Sequence, residues 1–409
     1  MRPHARHRNR PVGKLRLPST CSAARSKHAS RSANEAVGTM ADMTTALAAP
    51  PRLSATASRI AAIDAARGLA VLGMITVHVG VLREPVWTDP GSWLSVAWGR
   101  SSILFATLAG VSIALLSGRQ HPPAGPELVS ARLRILVRAL VLFALGGLLT
   151  MLGSGISVIL QTYALLFACC LPFLTWSPRR LLILAAGWAV IAPPLTVWLG
   201  QLLPSGCDPT AATCSGAQVT DLAITGDYPG LVWITFALTG LALGRCDLAA
   251  RTTRVRLLAA GVPMMIFGYG GAWLLGLFDT PDPTEWTQLR TAEPHSGSTF
   301  EIIGSLGFAL TVIGVLLFTV DRLRPILFPI VAVGTLPLTV YSAHVIAVRL
   351  LGDAATAPTG NVLLAIFLAV TVAASVVWVL TLGRGPLERG MSWIVTRAAT
   401  VRGDAVPVG

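Results

Sequence analysis

The stretch IDAARGLAVLGMITVHVGVL, from Ile63 to Leu82, decides the fold class. Most of its residues are apolar and suit a helix inside a lipid bilayer. It nevertheless contains Asp64, Arg67 and His78, although ionisable groups at membrane depth are costly. Because such groups usually line a polar pathway, the stretch predicts both a membrane span and a functional site.

The composition extends this prediction to the rest of the chain. Of 409 residues, 53% are hydrophobic and 12% are charged, and this charged fraction is about half that of a soluble protein. We predict an all-α, polytopic bundle of transmembrane helices. The net charge of +13 does not indicate nucleic-acid binding, because the basic residues lie mainly in an N-terminal tail and in short loops.

Ten segments are apolar and long enough to cross a bilayer core, which needs about 20 helical residues. They are roughly 60–82, 94–117, 135–153, 156–176, 181–203, 229–245, 256–278, 300–320, 325–350 and 359–383. We therefore predict about ten spans, with eleven as the alternative count. The ninth segment contains Pro329, Gly334 and Pro337, which predict a kink or break.

The loops between these segments predict the orientation of the chain. Arg-bearing loops alternate with acidic or neutral ones, so both termini are predicted to lie in the cytoplasm. The predicted organisation is a disordered basic tail over 1–58, a transmembrane domain over 59–383 and a cytoplasmic tail over 384–409. The last tail suits a short amphipathic helix or a disordered segment. We predict a multi-pass protein of the plasma (inner) membrane, with the lipid bilayer as a partner and a homo-oligomer as a compatible assembly.

Cysteine usage bears on the loop between the fifth and sixth segments. Cys207 and Cys214 have six residues between them in a loop predicted to lie outside. A disulfide is feasible in an oxidising compartment, and two free thiols are the alternative. No group of residues has metal-ligand spacing, so we expect no metal.

Arg67 and His78 share one face of the first helix. Eleven residues correspond to three helical turns plus about 20°, and to about 16 Å along the axis. Asp64 lies one turn before Arg67 and can pair with it. This face is predicted to form a polar pathway, with Arg67 toward the cytoplasm and His78 toward the outside. Under the structural alternative, Arg67 snorkels to the interface and His78 is a hydrogen-bonded core residue.

Further polar residues are predicted at the outer depth. Arg100 opens the second segment, Tyr341 and His344 lie in the ninth, and His295 lies in the outer loop before the eighth. An imidazole with a near-neutral pKa can take a proton from an attacking amine or hydroxyl. Arg100 or Tyr341 can stabilise an oxyanion there, and Arg100 is also a candidate residue for binding an anionic cofactor.

Three arginines open the third segment on the predicted cytoplasmic side: Arg132, Arg134 and Arg138. The last two are one helical turn apart and repel each other unless an anion lies between them. Because Arg binds phosphate bidentately, the cluster is a candidate phosphate site. Anchoring of the helix by the positive-inside rule is the alternative.

Several stretches resemble known membrane-bound acyltransferases. Ten residues separate Arg67 from His78, and this spacing resembles the first-span signature of the acyltransferase-3 family. IDAARG, RSSILFATLAGVSIALL, PHSGSTFEIIGSLGFALTVIG and VGTLPLTVYSAH resemble the heparan-α-glucosaminide N-acetyltransferase-like group of bacterial membrane proteins. The last stretch, with GPLERGMSWIV, also resembles a domain of unknown function in the same superfamily. The resemblance covers about residues 58–398.

The resemblance implies transfer of an acetyl or other acyl group across the membrane. The donor would be cytosolic acetyl-CoA or another acyl-CoA, and the acceptor an amine or hydroxyl of an extracytoplasmic glycan or amino sugar. His78 would be the base that activates the acceptor, while Arg67, paired with Asp64, would serve the donor or the inner lining of the site. The mammalian enzyme of the group has a histidine in the loop after the first span that is missing here, so His78 or His295 would take its role.

A secondary transporter or flippase for a small polar or glycan substrate is the alternative function. Ten spans, a broken helix and buried ionisable groups also suit a carrier. Carriers often contain internal repeats, whereas spans one to five do not echo spans six to ten. This difference favours the enzyme.

Overall fold

The computed structural model describes residues 55–86, 88–202, 219–278 and 285–399. Within these ranges all regular secondary structure is helical, as the sequence predicts. The main helices are α1 (Ala55–Val79), α2 (Arg100–Leu116), α3 (Gly125–Met151), α4 (Leu160–Cys169), α5 (Pro178–Leu202), α6 (Gly230–Arg245), α7 (Arg251–Gly276), α8 (Thr299–Thr319), α9 (Arg324–Thr335), α10 (Pro337–Leu351), α11 (Val362–Thr381) and α12 (Pro386–Ala399).

Two predictions fall wholly or mostly outside the described residues. These are the disulfide between Cys207 and Cys214 and the disordered tail, of which residues 1–54 are not described. The remainder of that tail, residues 55–58, is helical and belongs to α1, so the first helix begins earlier than predicted.

The predicted number of spans is not confirmed. Seven helical segments are long and apolar enough to cross a membrane, or eight if α9 and α10 count as one broken span. Two further predicted segments, 156–176 and 229–245, contain the apolar helices α4 and α6, of only 10 and 16 residues. Each predicted segment thus contains a helix, but these two fall short of the about 20 residues that a span needs. The cytoplasmic location of the termini stays a prediction.

The ninth predicted segment is broken, as its prolines and glycine indicate. α9 ends at Thr335, α10 begins at Pro337, and their axes differ by 75°. Pro337 has no backbone N–H to continue the hydrogen bonding of α9, but it suits the first turn of a new helix. Leu336, between them, has φ −120° and ψ 35° and leaves the helical region.

The C-terminal tail contains a helix, α12, that holds the start of α10. One carboxylate oxygen of Glu388 accepts hydrogen bonds from the backbone N–H groups of Leu338 and Thr339, at 2.8 and 3.0 Å. The other accepts from the Thr339 hydroxyl at 2.5 Å. Glu388 therefore supplies the hydrogen-bond acceptors that the first turn of α10 lacks within its own helix.

α1 and α9 approach each other more closely than side chains would allow. A Cβ atom on Gly334 would lie 1.6 Å from the carbonyl oxygen of Asp64, and one on Gly68 would lie 2.1 Å from that of Ile330. Only glycine fits such a contact between helix backbones. The contact fixes α9, and with it the start of α10, against the part of α1 that contains Asp64 and Arg67.

We expect Gly334→Ala to destabilise the protein. The added methyl group overlaps a backbone carbonyl and forces the helices apart, which costs on the order of 1–3 kcal/mol. Gly187→Ala is the control, because no atom lies within 4 Å of a Cβ built at that glycine of α5. Thermal unfolding in detergent should give a lower midpoint for Gly334→Ala and an equal or higher one for Gly187→Ala. Equal midpoints for the two variants would contradict the close contact.

Candidate functional site

The ion pair that the spacing of α1 predicts is present. Arg67 Nη1 lies 2.7 Å from Asp64 Oδ1, one turn earlier on the helix. Arg67 Nη2 donates a second hydrogen bond to the Ser112 hydroxyl on α2, at 2.8 Å. These two contacts hold the guanidinium between α1 and α2.

Arg67 lines a cavity of about 530 Å³, which is within the range of small-molecule sites. Its wall includes three guanidinium groups and two carboxylates, together with two phenols and apolar side chains. The charged and phenolic lining residues are Asp64, Arg67, Arg138, Arg384, Glu388, Tyr163 and Tyr341. We call this space the basic cavity, because cations outnumber anions in its wall.

Arg138 is the member of the predicted arginine cluster that reaches the basic cavity. Its Nε is buried and has no hydrogen-bond partner among the described residues. Its charge lies near enough to that of Arg67 for the two to interact. Two guanidinium groups lie in one cavity, and the Nε–H of Arg138 has no hydrogen-bond partner among the described residues. This arrangement favours binding of an anion.

The other two arginines of the cluster lie elsewhere. Arg132 and Arg134 are exposed on α3, and neither lines the basic cavity. Arg134 donates from Nε to the carbonyl oxygen of Ser130 at 3.2 Å, within its own helix. The structure therefore does not bring these two residues together with Arg67.

His78 and His344 form a direct pair between α1 and α10. His78 Nδ1 lies 2.9 Å from His344 Nε2, and the rings are nearly parallel with centroids 5.2 Å apart. Nδ1 of His344 is buried and has no hydrogen-bond partner among the described residues. We call these two residues the histidine pair.

Tyr341 connects the basic cavity with the histidine pair. Its phenol lines the cavity, and its ring packs edge-on against His344 with centroids 5.0 Å apart. Its hydroxyl oxygen lies 3.3 Å from the backbone N–H of Ile159, from which it accepts. The two residues are three apart on α10 and therefore neighbours on its surface, and of the two only Tyr341 lines the basic cavity.

The predicted pathway along the face of α1 is not the one that the structure contains. Val71, Met74 and Ile75, which lie between Arg67 and His78, are buried in the apolar core. The basic cavity instead extends beside α1 to Tyr341, and His78 is not among its lining residues. The basic cavity is therefore connected to His78 by two contacts, that of Tyr341 with His344 and that of His344 with His78.

His295 lies in a loop that the buried carboxylate of Glu301 shapes. Glu301 accepts hydrogen bonds from the N–H groups of His295 and Gly297, both at 2.7 Å, and from the Ser296 hydroxyl at 3.2 Å. These bonds hold His295 at φ +66°, a value that few residues other than glycine adopt. A strained residue held by a buried network is a common feature of functional sites.

Aromatic rings and a carbonyl group surround the imidazole of His295. Its ring stacks on Trp233 and meets Tyr228 edge-on, with centroids 6.4 and 5.2 Å apart. Nδ1 lies 3.0 Å from the carbonyl oxygen of Asp227. Burial raises the pKa of Tyr228 to about 12. The phenol of Tyr228 therefore stays protonated beside the imidazole of His295.

Arg100 is turned away from the basic cavity. Its Nε donates to the Tyr269 hydroxyl at 2.9 Å, and its guanidinium lies over that ring at 4.6 Å from the centroid. Tyr269 in turn bonds to Ser305 on α8 at 2.9 Å. Arg100 thus joins α2 to α7 and α8, and it lines neither the basic cavity nor the contact through Tyr341.

Sequence reasoning missed several residues of the site. Glu388 and Arg384 were placed in a tail, and Tyr163 and Tyr228 had no assigned role. The only signal for Glu388 is its position in GPLERGMSWIV, which is quoted above for its resemblance, and Arg384 directly precedes that stretch. Among the described residues, no group of three or more His, Cys, Asp or Glu side chains could hold a metal ion.

Seven long apolar helices, with ionisable groups gathered inside them, define an integral membrane protein. The chain belongs to the heparan-alpha-glucosaminide N-acetyltransferase family: the family's catalytic-domain profile matches residues 59–276. The matched region contains Arg67, His78 and Arg138, whereas His295, Tyr341 and His344 follow it. A comparison with curated proteins finds no match to the chain. Members of the family generally take the acetyl group from acetyl-CoA.

Proposed function

We propose that this membrane acetyltransferase moves an acetyl group from cytosolic acetyl-CoA to a sugar amine or hydroxyl on the extracytoplasmic face. The observation that carries the proposal is the basic cavity, which has Arg67 and Arg138 in its wall and Tyr341 in contact with the histidine pair. Family membership supports the reaction, and the plasma membrane is the proposed location.

The donor is proposed to bind in the basic cavity. Coenzyme A has three phosphate groups, and guanidinium groups bind phosphate through paired hydrogen bonds. Arg138 has an unused buried N–H, and Arg67 is held in place by Asp64 and Ser112. Phosphate binding by these arginines, with Arg384 in the same wall, leaves the thioester to extend toward Tyr341.

The histidine pair is proposed to supply the base. If His344 carries its proton on Nδ1, its Nε2 accepts from His78 Nδ1–H. The lone pair of His78 then lies on Nε2. His344 acts in this proposal as a positioning residue that selects the tautomer of His78.

The proposed step balances without a further reactant. The acceptor nitrogen or oxygen attacks the thioester carbonyl, and its proton goes to His78 Nε2. The Tyr341 hydroxyl, which accepts from Ile159 N–H, is free to donate to the developing oxyanion. The C–S bond then breaks, and the leaving thiolate takes up the proton, so that the products are the acetylated sugar and coenzyme A.

The experiment measures acetyl transfer to glucosamine by the purified full chain in liposomes with acetyl-CoA. We expect Arg138→Gln to raise the KM for acetyl-CoA about 10–100-fold, since one charge-assisted hydrogen bond contributes about 1.5–3 kcal/mol. Arg134→Gln removes the same charge one turn away, from an exposed residue outside the basic cavity. Its KM should stay at the wild-type value. Equal KM values for the two variants would contradict the donor site.

A carrier is the second candidate, because of the 75° break between α9 and α10. Discontinuous helices near the membrane centre are typical of substrate sites in secondary transporters. The two functions separate in the same liposomes. Counterflow of labelled glucosamine without acetyl-CoA would favour the carrier, and release of coenzyme A with acetylated sugar would favour the enzyme.

A further inference from the structure

A second cavity, of about 490 Å³, lies between α10 and α11. Small residues of α10, Ala343 and Ala347, leave room for it, and Ile366 and Val370 of α11 form the facing wall. Four lining residues are polar: Thr339, His344, Thr371 and Ser375. We call this space the α10–α11 groove.

The α10–α11 groove opens toward the lipid. α11 is one of the helices long and apolar enough to span a membrane, and only 11% of its span is buried in the protein. Ile366 and Val370 are 53% and 60% exposed. Because hydrocarbon surrounds a span at this depth, lipid chains can reach the groove directly.

His344 places the α10–α11 groove beside the proposed base. Its side chain is 3% exposed, lines the groove and bonds to His78. None of the arginines or carboxylates of the basic cavity lines the groove. Tyr341 and the histidine pair therefore separate a basic cavity from an apolar one.

A donor and an acceptor of different chemistry fit these two cavities. The basic cavity suits a polyanion, and an acceptor has to reach the histidine pair from another direction. His78 is at the penultimate position of α1, so the pair lies near one end of that span. The groove wall extends from His344 back to Thr339, about 8 Å along the axis of α10, and then to Leu336 just before that helix. A hydrocarbon chain can fill this part while the attached polar group stays at the level of the pair.

We propose that the acceptor is a membrane amphiphile. Its hydrocarbon chain lies in the α10–α11 groove, and its sugar amine or hydroxyl reaches the histidine pair. This inference rests on the proposed function, which supplies the reaction. It adds the class of acceptor, which family membership does not specify for this chain. A water-soluble acceptor would make no use of the groove.

The experiment uses the full chain in liposomes with acetyl-CoA and three acceptors: glucosamine, octyl glucosaminide and dodecyl glucosaminide. We expect kcat/KM to rise with chain length in the wild type. Ala347→Leu fills the groove and should lower the ratio of kcat/KM for dodecyl glucosaminide to that for glucosamine by about tenfold, which corresponds to a modest steric cost. Ala369→Leu is the matched control, because Ala369 is exposed on α11 and does not line the groove. Acceptors with long chains are enriched in the membrane equally for both variants. A lower kcat/KM ratio in Ala347→Leu alone therefore indicates binding of the chain in the groove.

A second measurement does not depend on turnover. A dodecyl glucosaminide with a diazirine at the chain end should photolabel peptides of α10 or α11, less in Ala347→Leu than in Ala369→Leu. If the kcat/KM ratio and the photolabelling are the same in Ala347→Leu and Ala369→Leu, the proposal of an amphiphilic acceptor is wrong. Acetyl transfer to glucosamine would in that case still support the enzymatic function. Labelling of the groove without any acetyl transfer would support the binding site and overturn the reaction. Crosslinks between two copies through α11 in place of groove labelling would show that a second copy covers it, and would overturn the proposal.

Discussion

His78→Ala should reduce the kcat of acetyl transfer by about 10²–10⁴-fold, which is the usual contribution of a positioned general base. The KM for acetyl-CoA should change little, because His78 does not line the basic cavity. His121→Ala is the control, since that imidazole is exposed in the loop after α2. Steady-state kinetics in liposomes with glucosamine checks the result. Wild-type kcat in His78→Ala would remove the base from the proposed mechanism.

The same series distinguishes a positioning role of His344 from a merely structural one. His344→Ala should lower kcat about tenfold, because His78 loses the acceptor that fixes its tautomer. His344→Gln should recover part of the loss, since the amide oxygen can accept from His78 Nδ1–H. A structural defect would lower the amount of folded protein and would not be repaired by an amide.

Glu388→Ala should have the second-largest effect, with a loss of kcat of about 100-fold. The variant leaves the first N–H groups of α10 without the carboxylate that binds Leu338 and Thr339, and hydrogen bonds to a charged group contribute about 1.5–3 kcal/mol each. The start of α10 then moves, and with it Tyr341 and His344. Kinetics at saturating acetyl-CoA measures the loss, and thermal unfolding identifies variants that no longer fold.

Glu388→Gln separates the geometry of that carboxylate from its charge. The amide oxygen can still accept from both N–H groups, so kcat should stay within a few-fold of the wild type. Removing one of the two carboxylates beside three guanidinium groups should also lower the KM for acetyl-CoA about fivefold. Glu127→Gln, at an exposed residue of α3, removes the same charge far from the cavity wall and should leave KM unchanged. Equal losses of kcat in Glu388→Ala and Glu388→Gln would contradict the role in positioning α10.

Local rules of helix geometry predicted part of the site from the sequence. Asp64 and Arg67 are three residues apart, and the helix brings them to 2.7 Å. Pro337 marked the break in the ninth segment because proline cannot continue a helix. The resemblance to the N-acetyltransferase-like group is confirmed by the family match over 59–276.

Contacts between segments that lie far apart in the chain could not be predicted from the sequence. Spacing and charge predict the depth of a residue in the membrane, but not which neighbouring helix it faces. Arg100 was therefore assigned to the donor or the oxyanion, whereas it binds Tyr269. Arg132 and Arg134 were grouped with Arg138, although only Arg138 turns inward. His78 and His344 are in contact although they lie 266 positions apart in the sequence. The spacing of residues in a single sequence does not predict such a contact.

The long separation of that pair has a consequence for how relatives are compared. The family profile matches the chain as far as residue 276, and the second imidazole and Glu388 follow this matched region. A shortened protein ending after α7 would retain Arg67, Arg138 and His78 but would lack the partners that orient the base. Under the proposed mechanism, chains that share only the first half of this architecture would lack the second imidazole and need not share its chemistry.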